Sequence, residues 1–170
     1  MGALALDGNA LVVSILGQGW QLRPCYDLGV RYDFAAYNRA GKLTVVVEAK
    51  RRTKTSAAWA TTFRRNLMAH GTPPPRELFA IVAPDKIYTW RAGAPMDAVP
   101  DAEIDAREIL APYFERSKAE PERIDPGAFE LLVAWWLEDV AREGAPDERL
   151  KRSGLPEALA GSRIAREVAA

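Results

Sequence analysis

The sequence predicts an α/β fold, a mixed central sheet flanked by helices with a C-terminal helical extension. Three observations predict it: a hairpin pattern from Arg31 to Arg52, a helix-period apolar stripe directly after it, and two strand-like runs after that helix. The chain has 170 residues, 48% of them hydrophobic, enough for one full domain with a real core and a small appendage. Residues 1–95 are expected to form the core and 96–170 an acidic helical extension and tail packed on it.

In chain order, Asn9 to Leu16 reads as a helix ended by Gly17 and Gly19, although Val12-Val13 leaves a strand open. Gly19 to Cys25 reads as a strand leading into the hairpin. The hairpin turn is Asn38-Arg39-Ala40-Gly41-Lys42, where Asn and Gly tolerate the positive φ of a tight reversal. Leu43 to Ala49, LTVVVEA, is β-branched and nearly continuous in apolar character, as expected of a central strand buried on both faces. A helix follows from about Ser56 to Ala69, capped by Thr55 or Ser56. Its Trp59, Phe63 and Leu67 form one stripe toward the sheet, with Arg64 and Arg65 on other faces.

Past the break GTPPP, Leu78–Ala83 and Lys86–Arg91 read as strands joined at Pro84-Asp85. Ala92 to Pro100 is loop, and residues 101–116 suggest a short helix. Asp125-Pro126 then starts a stronger helix whose Phe129, Leu132, Val133, Trp136, Leu137 and Val140 make a wide apolar face. Beyond Gly144 the sequence suggests a loosely packed tail.

The hairpin carries the chemistry. A turn centred between Ala40 and Gly41 sets residues whose numbers sum to 81 opposite one another, which pairs Asp33 with Glu48. Cross-strand neighbours sit roughly 4.5–5.5 Å apart at Cβ, and like charges there destabilise a sheet, so a cation between them would remove a cost. Glu48 and Lys50 alternate with Ala49 and share a face. Two carboxylates and an ammonium on one face suit a hard divalent ion such as Mg²⁺, which keeps several waters and shares its shell with substrate phosphate. Lys50 would stabilise charge on that phosphate, or orient or deprotonate the attacking water if burial lowered its pKa. Asp27 is the rival to Asp33, and Asp7 a further candidate for the metal. The competing reading is a charged strand at a solvated sheet edge.

Asp33 followed after a hairpin-length gap by Glu48-Ala49-Lys50 resembles the signature of the PD-(D/E)XK nuclease superfamily, with Tyr32 in place of the usual Pro. The resemblance covers roughly residues 5–91, where the element order matches the αβββαβ core of the restriction-endonuclease-like fold, and the run AIVAPDKIYTW is similar to uncharacterised bacterial members. It implies a metal-dependent nuclease with Asp33, Glu48 and Lys50 as catalytic residues. Asp33, Glu48 and the Ala49 carbonyl would bind Mg²⁺ or Mn²⁺, and DNA would be the substrate. Members of that superfamily often carry a further acid on a helix before the hairpin, and here no Glu precedes residue 48.

The formal net charge of zero hides a division. Nine Lys or Arg fall between Arg31 and Arg65 (31, 39, 42, 50, 51, 52, 54, 64 and 65) against two acids, Asp33 and Glu48, while Asp97 to Glu148 is acidic. The basic stretch suits a polyanion, with Arg31, Arg51, Arg52 and Lys54 as candidate phosphate contacts; solvated faces are the plainer explanation of both runs. The acidic helices offer a docking surface for a protein partner or a second copy. An alternative function is therefore a non-catalytic nucleic-acid- or protein-binding subunit. Cys25 is the only cysteine, which excludes an intrachain disulfide. No secretory n-region or membrane-length apolar run appears, so a cytoplasmic location is expected. The absence of a Gly-rich phosphate loop, a GxSxG elbow or zinc-ligand spacing weighs against ATPase, serine-hydrolase and zinc-finger classes.

Overall fold

A computed structural model describes residues 32–166 except Pro73, together with the backbone of three earlier strands. The chain divides into two compact units, Met1–Arg31 and Tyr32–Ala170. The second runs across the boundary expected at residue 95.

The first unit holds a three-stranded antiparallel sheet of β1 (Leu4–Leu6), β2 (Asn9–Ile15) and β3 (Trp20–Pro24), in the order β1-β2-β3. The helix expected over Asn9 to Leu16 is thus a strand. Its β-branched Val12 and Val13 fit the pleat, and β2 has a partner on each side, pairing Leu6 with Asn9 and Val13 with Leu22. The expected strand at Gly19 to Cys25 is β3.

In the second unit a six-stranded mixed sheet has the order β8-β7-β6-β5-β4-β9, and helices flank both of its faces. The hairpin is β4 (Phe34–Tyr37) and β5 (Leu43–Ala49), antiparallel. Phe34 faces Val47, Ala35 faces Val46 and Ala36 faces Val45, before the register shifts by one at Tyr37, which faces Leu43. At the turn Asn38 Oδ1 accepts from the Ala40 and Lys42 N–H groups, both at 3.0 Å, and Gly41 supplies φ +73°. All seven residues of β5 are buried, as expected of an interior strand.

Helix α1 (Ala57–Ala69) is capped by Ser56, whose side chain accepts the Trp59 N–H. It crosses to β6 (Leu78–Val82), parallel to β5, and β7 (Lys86–Arg91) returns antiparallel. Residues 102–105, expected to open a helix, are instead a strand, β8 (Ala102–Asp105), which takes the free side of β7. Short runs such as AEID fit either state, and the available edge decides. Helix α2 (Arg107–Ser117) follows.

Helix α3 (Pro126–Glu143) starts at the Asp125 cap and buries Phe129, Leu132, Val133, Trp136, Leu137 and Val140, the face its periodicity foretells. The tail is packed rather than loose. Short helices α4 (Glu148–Arg152) and α5 (Leu155–Leu159) bury Leu150, Leu155 and Leu159, and β9 (Arg163–Arg166) pairs antiparallel with β4. The sequence hides this because each segment is only four or five residues long, and its burial comes from partners distant in the chain.

Two apolar layers result. One side of the sheet, with Val45, Val47 and Ala49 from β5, packs on α3 and α5. The other, with Val46 of β5 and Ile81 of β6, packs on Ala60, Trp59, Phe63 and Leu67 of α1. Among the described residues no helix is long and apolar enough to cross a membrane.

Candidate active site

Strand alternation places the candidate side chains. Phe34, Val47 and Ala49 face α3, so Asp33, Glu48 and Lys50 face α1. Asp33 lies one residue before β4. Continuing the register Phe34–Val47 by one step sets it opposite Glu48, and the Ala49 N–H donates to Asp33 Oδ2 at 2.8 Å. Lys50 Nζ lies 2.8 Å from Asp33 Oδ2 and 2.9 Å from Glu48 Oε2. The structure thus brings all three residues together at the C-terminal end of β5, with the ammonium between the carboxylates.

The three differ in exposure. The Glu48 side chain is 3% exposed, against 21% for Asp33 and 31% for Lys50. Glu48 is held on a central strand with Ile81 of β6 beside it, and its Oε1 has no hydrogen-bond partner among the described residues. Burial first, and then the Asp33 charge, push the Glu48 carboxyl up to about 7, against the pull of Lys50. For Lys50 burial acts downward, but Glu48 and Asp33 outweigh it and raise the ammonium above its ordinary value. Lys50 in this arrangement stays protonated, which suits it to orient or stabilise an anion and not to remove a proton.

The donor set fits a divalent ion. A buried carboxylate oxygen without a partner and a second carboxylate across the pair form the kind of sparse, all-oxygen set Mg²⁺ uses, with water and phosphate completing the shell. Among the described residues no group of three or more His, Cys, Asp or Glu assembles. Among the described residues Asp33 and Glu48 are the two carboxylates placed to hold such an ion. Asp27, the rival to Asp33, and Asp7, the candidate supplementary metal contact, lie outside the described residues, as does Arg31.

The other candidate phosphate contacts diverge. Arg51 is exposed but donates from Nη1 to the Ile124 carbonyl at 3.0 Å. Arg52 sits over the Trp59 ring at 5.6 Å. Lys54 adopts φ +56°, with its N–H donating to Asp85 Oδ2 at 2.8 Å. His70 is an exposed residue closing α1, with no part in the site.

Arg64 departs from expectation. It is buried at 3% exposure, donates to the Pro95 and Ala94 carbonyls at 2.8 and 3.0 Å, and lies over Trp90 and Phe79. Its charge ties the loop after β7 to α1 and is not available to a polyanion. Helical periodicity does put position 64 toward the sheet, one turn after Ala60; its charge argued for solvent and was overruled by two carbonyls and two aromatic faces.

Sequence reasoning also missed the surroundings of Lys50. Its Nζ lies 5.5 Å from the Phe63 ring centroid, and Phe63 stacks on Trp59 at 5.5 Å and 16°. The i, i+4 spacing shows that the two rings share a face, but not that this face abuts the carboxylates.

Comparison of the chain with protein-family models, curated proteins and solved structures returned no match.

Proposed function

We propose that the protein is a metal-dependent nuclease of restriction-endonuclease-like architecture, hydrolysing phosphodiester bonds. The observation that carries this reading is the convergence of Asp33, Glu48 and Lys50 around a buried carboxylate oxygen without a partner. Asp33, Glu48 and the Ala49 carbonyl would hold Mg²⁺ or Mn²⁺, and DNA as substrate follows from the resemblance of the Asp33…Glu48-Ala49-Lys50 pattern. When bound, the ion polarises the phosphate and lowers the pKa of a water.

The chain's residues do the rest. Glu48, fixed by β5 and shielded by α1, is raised toward neutrality by its surroundings, so its ionised form gains most from a cation. Asp33 is anchored by the Ala49 N–H, which donates to its Oδ2 at 2.8 Å. Lys50 turns from the carboxylates to a non-bridging phosphate oxygen, where its positive charge stabilises the pentacoordinate transition state. Water's oxygen forms the new bond to phosphorus as its proton passes to solvent, the P–O bond to the leaving sugar breaks, and the leaving oxygen takes up a proton from solvent.

The test is plasmid and single-stranded DNA incubated with Mg²⁺ or Mn²⁺, with Glu48→Ala and Lys50→Ala beside the wild type. Cleavage by the wild type and its loss in both variants is expected. Undiminished cleavage by both would overturn the reading.

One observation favours a second reading, a non-catalytic binding subunit. Lys50 bridges both carboxylates, and its own charge offsets their repulsion. That reading predicts nucleic-acid or protein binding without cleavage and no Mg²⁺ heat in calorimetry.

A further inference from the structure

Beside the three site residues lies an aromatic surface that hydrolysis of a phosphodiester does not by itself require. Trp59 and Phe63 stack nearly parallel on α1, and both are half-buried, so part of each ring stays in reach of solvent. A cation overlies each ring: Lys50 lies 5.5 Å from Phe63, and Arg52 lies 5.6 Å from Trp59. Tyr88 of β7 meets the Trp59 ring at 6.5 Å and 57°, and the helix neighbours Ala58 and Thr62 are small and exposed, so the movable side chain over Trp59 is that of the exposed Arg52. No acid occurs between Glu48 and Glu77, so the loop and helix that present the rings carry only positive charge. The loop's path is held by the Asp85 carboxylate on the Lys54 N–H, at a non-glycine φ of +56°.

Aromatic faces interleaved with cations fit one class of polyanion better than others. In a duplex the base faces are hidden by their own stacking, and a protein meets phosphates and groove edges. In a single strand each base has a free π-face joined to its phosphate through one sugar. A ring beside the residue that handles phosphate then meets the base of the same or the next nucleotide. We propose that Trp59, backed by Phe63, is a base-stacking platform and that the site takes single-stranded nucleic acid in preference to duplex, with Arg52 and Lys54 supplying charge along the strand. This rests on the reading of Asp33, Glu48 and Lys50 as a phosphodiester site.

The experiment measures binding by the full chain in EDTA at one fixed salt concentration, by fluorescence anisotropy. The probes are a labelled oligothymidylate of about twelve nucleotides, an abasic strand with the same number of phosphates, and a duplex of equal length. The oligothymidylate should bind about five- to a hundred-fold more tightly than the abasic strand, the range base–aromatic stacking gives on alanine substitution. Trp59→Leu, which keeps apolar bulk against Phe63 without a π-face, should bring its affinity down to the abasic level, and Trp59→Phe should retain most of it. Equal binding of the abasic strand or the duplex by the wild-type protein would overturn the proposal, as would a Trp59→Leu protein that binds oligothymidylate like the wild type. The wild-type comparison needs no variant to fold. If the stacking pattern holds while Glu48→Ala cleaves like the wild type, the nuclease reading fails and the single-strand platform stands. If Glu48→Ala abolishes cleavage while the abasic strand binds equally, only the platform fails.

Discussion

The two faces of the central strand β5 share one backbone and equal burial, yet they do different work. Toward α3 the strand shows Val45, Val47 and Ala49, and the helix answers with six buried apolar side chains. Toward α1 it shows Thr44, Val46 and Glu48, with Lys50 just past its end, and the helix buries only Ala60 and Arg64 behind half-buried Trp59, Phe63 and Leu67. Burial therefore does not separate a structural face from a chemical one. What separates them is the opposing layer: a continuous apolar face can only exclude water, whereas aromatic rings and a cation tolerate charge beside them.

The sharpest way to break the comparison is on the α3 side. Trp136 is 2% exposed at the centre of that face, and Trp136→Ala should cost about 3–5 kcal/mol in urea denaturation. Cleavage per folded molecule should stay unchanged, and a loss of activity matching that of Glu48→Ala would show the two faces to be coupled.

Next in size is the pH dependence written into the α1 side. With the metal chelated, burial and then the Asp33 charge hold the Glu48 carboxyl up to about 7, above its ordinary 4.5. The native state then holds more protons than the unfolded chain between those values, so this contribution is fully present below about pH 4.5 and lost as pH rises through 7. The loss amounts to about 3 kcal/mol. Glu48→Gln, neutral at all pH, should flatten that part of the stability profile in thermal unfolding, and a wild-type profile already flat from pH 4.5 to 7 would refute the buried-carboxylate description.

The smallest effect concerns Arg64. Arg64→Met keeps bulk over Trp90 and Phe79 but leaves the Ala94 and Pro95 carbonyls without their donor, at a cost of about 1–3 kcal/mol. Nucleic-acid affinity should not change, because the guanidinium is buried. A drop in affinity at constant fold would return Arg64 to the polyanion surface.

Much of the fold was legible in particular residues. Asn38 and Gly41 set a register whose 81 sum holds for Phe34, Ala35 and Ala36 and slips only at Tyr37, where a bulge adds a residue. Ser56 and Asp125 mark two helix starts, and the apolar face of α3 matches its periodicity residue by residue. The candidate site was legible as far as the hairpin reaches, since Asp33, Glu48 and Lys50 are positioned by alternation and register alone. Residues 9–15 and 102–105 misled because short apolar or mixed runs suit helix and strand alike, and Leu150, Leu155 and Leu159 gave no signal because their helices span little more than one turn.

Local geometry follows from neighbouring residues: which ones face each other across the hairpin, which share a helical stripe, and where two long helices begin. Turn chemistry, capping and period act over a few residues and are written in them. Long-range packing is what buries Arg64, sets β9 beside β4, and brings Phe63, with Trp59 stacked on it, up to Lys50. Those outcomes depend on which surface covers a side chain, and that surface comes from residues far away in the chain.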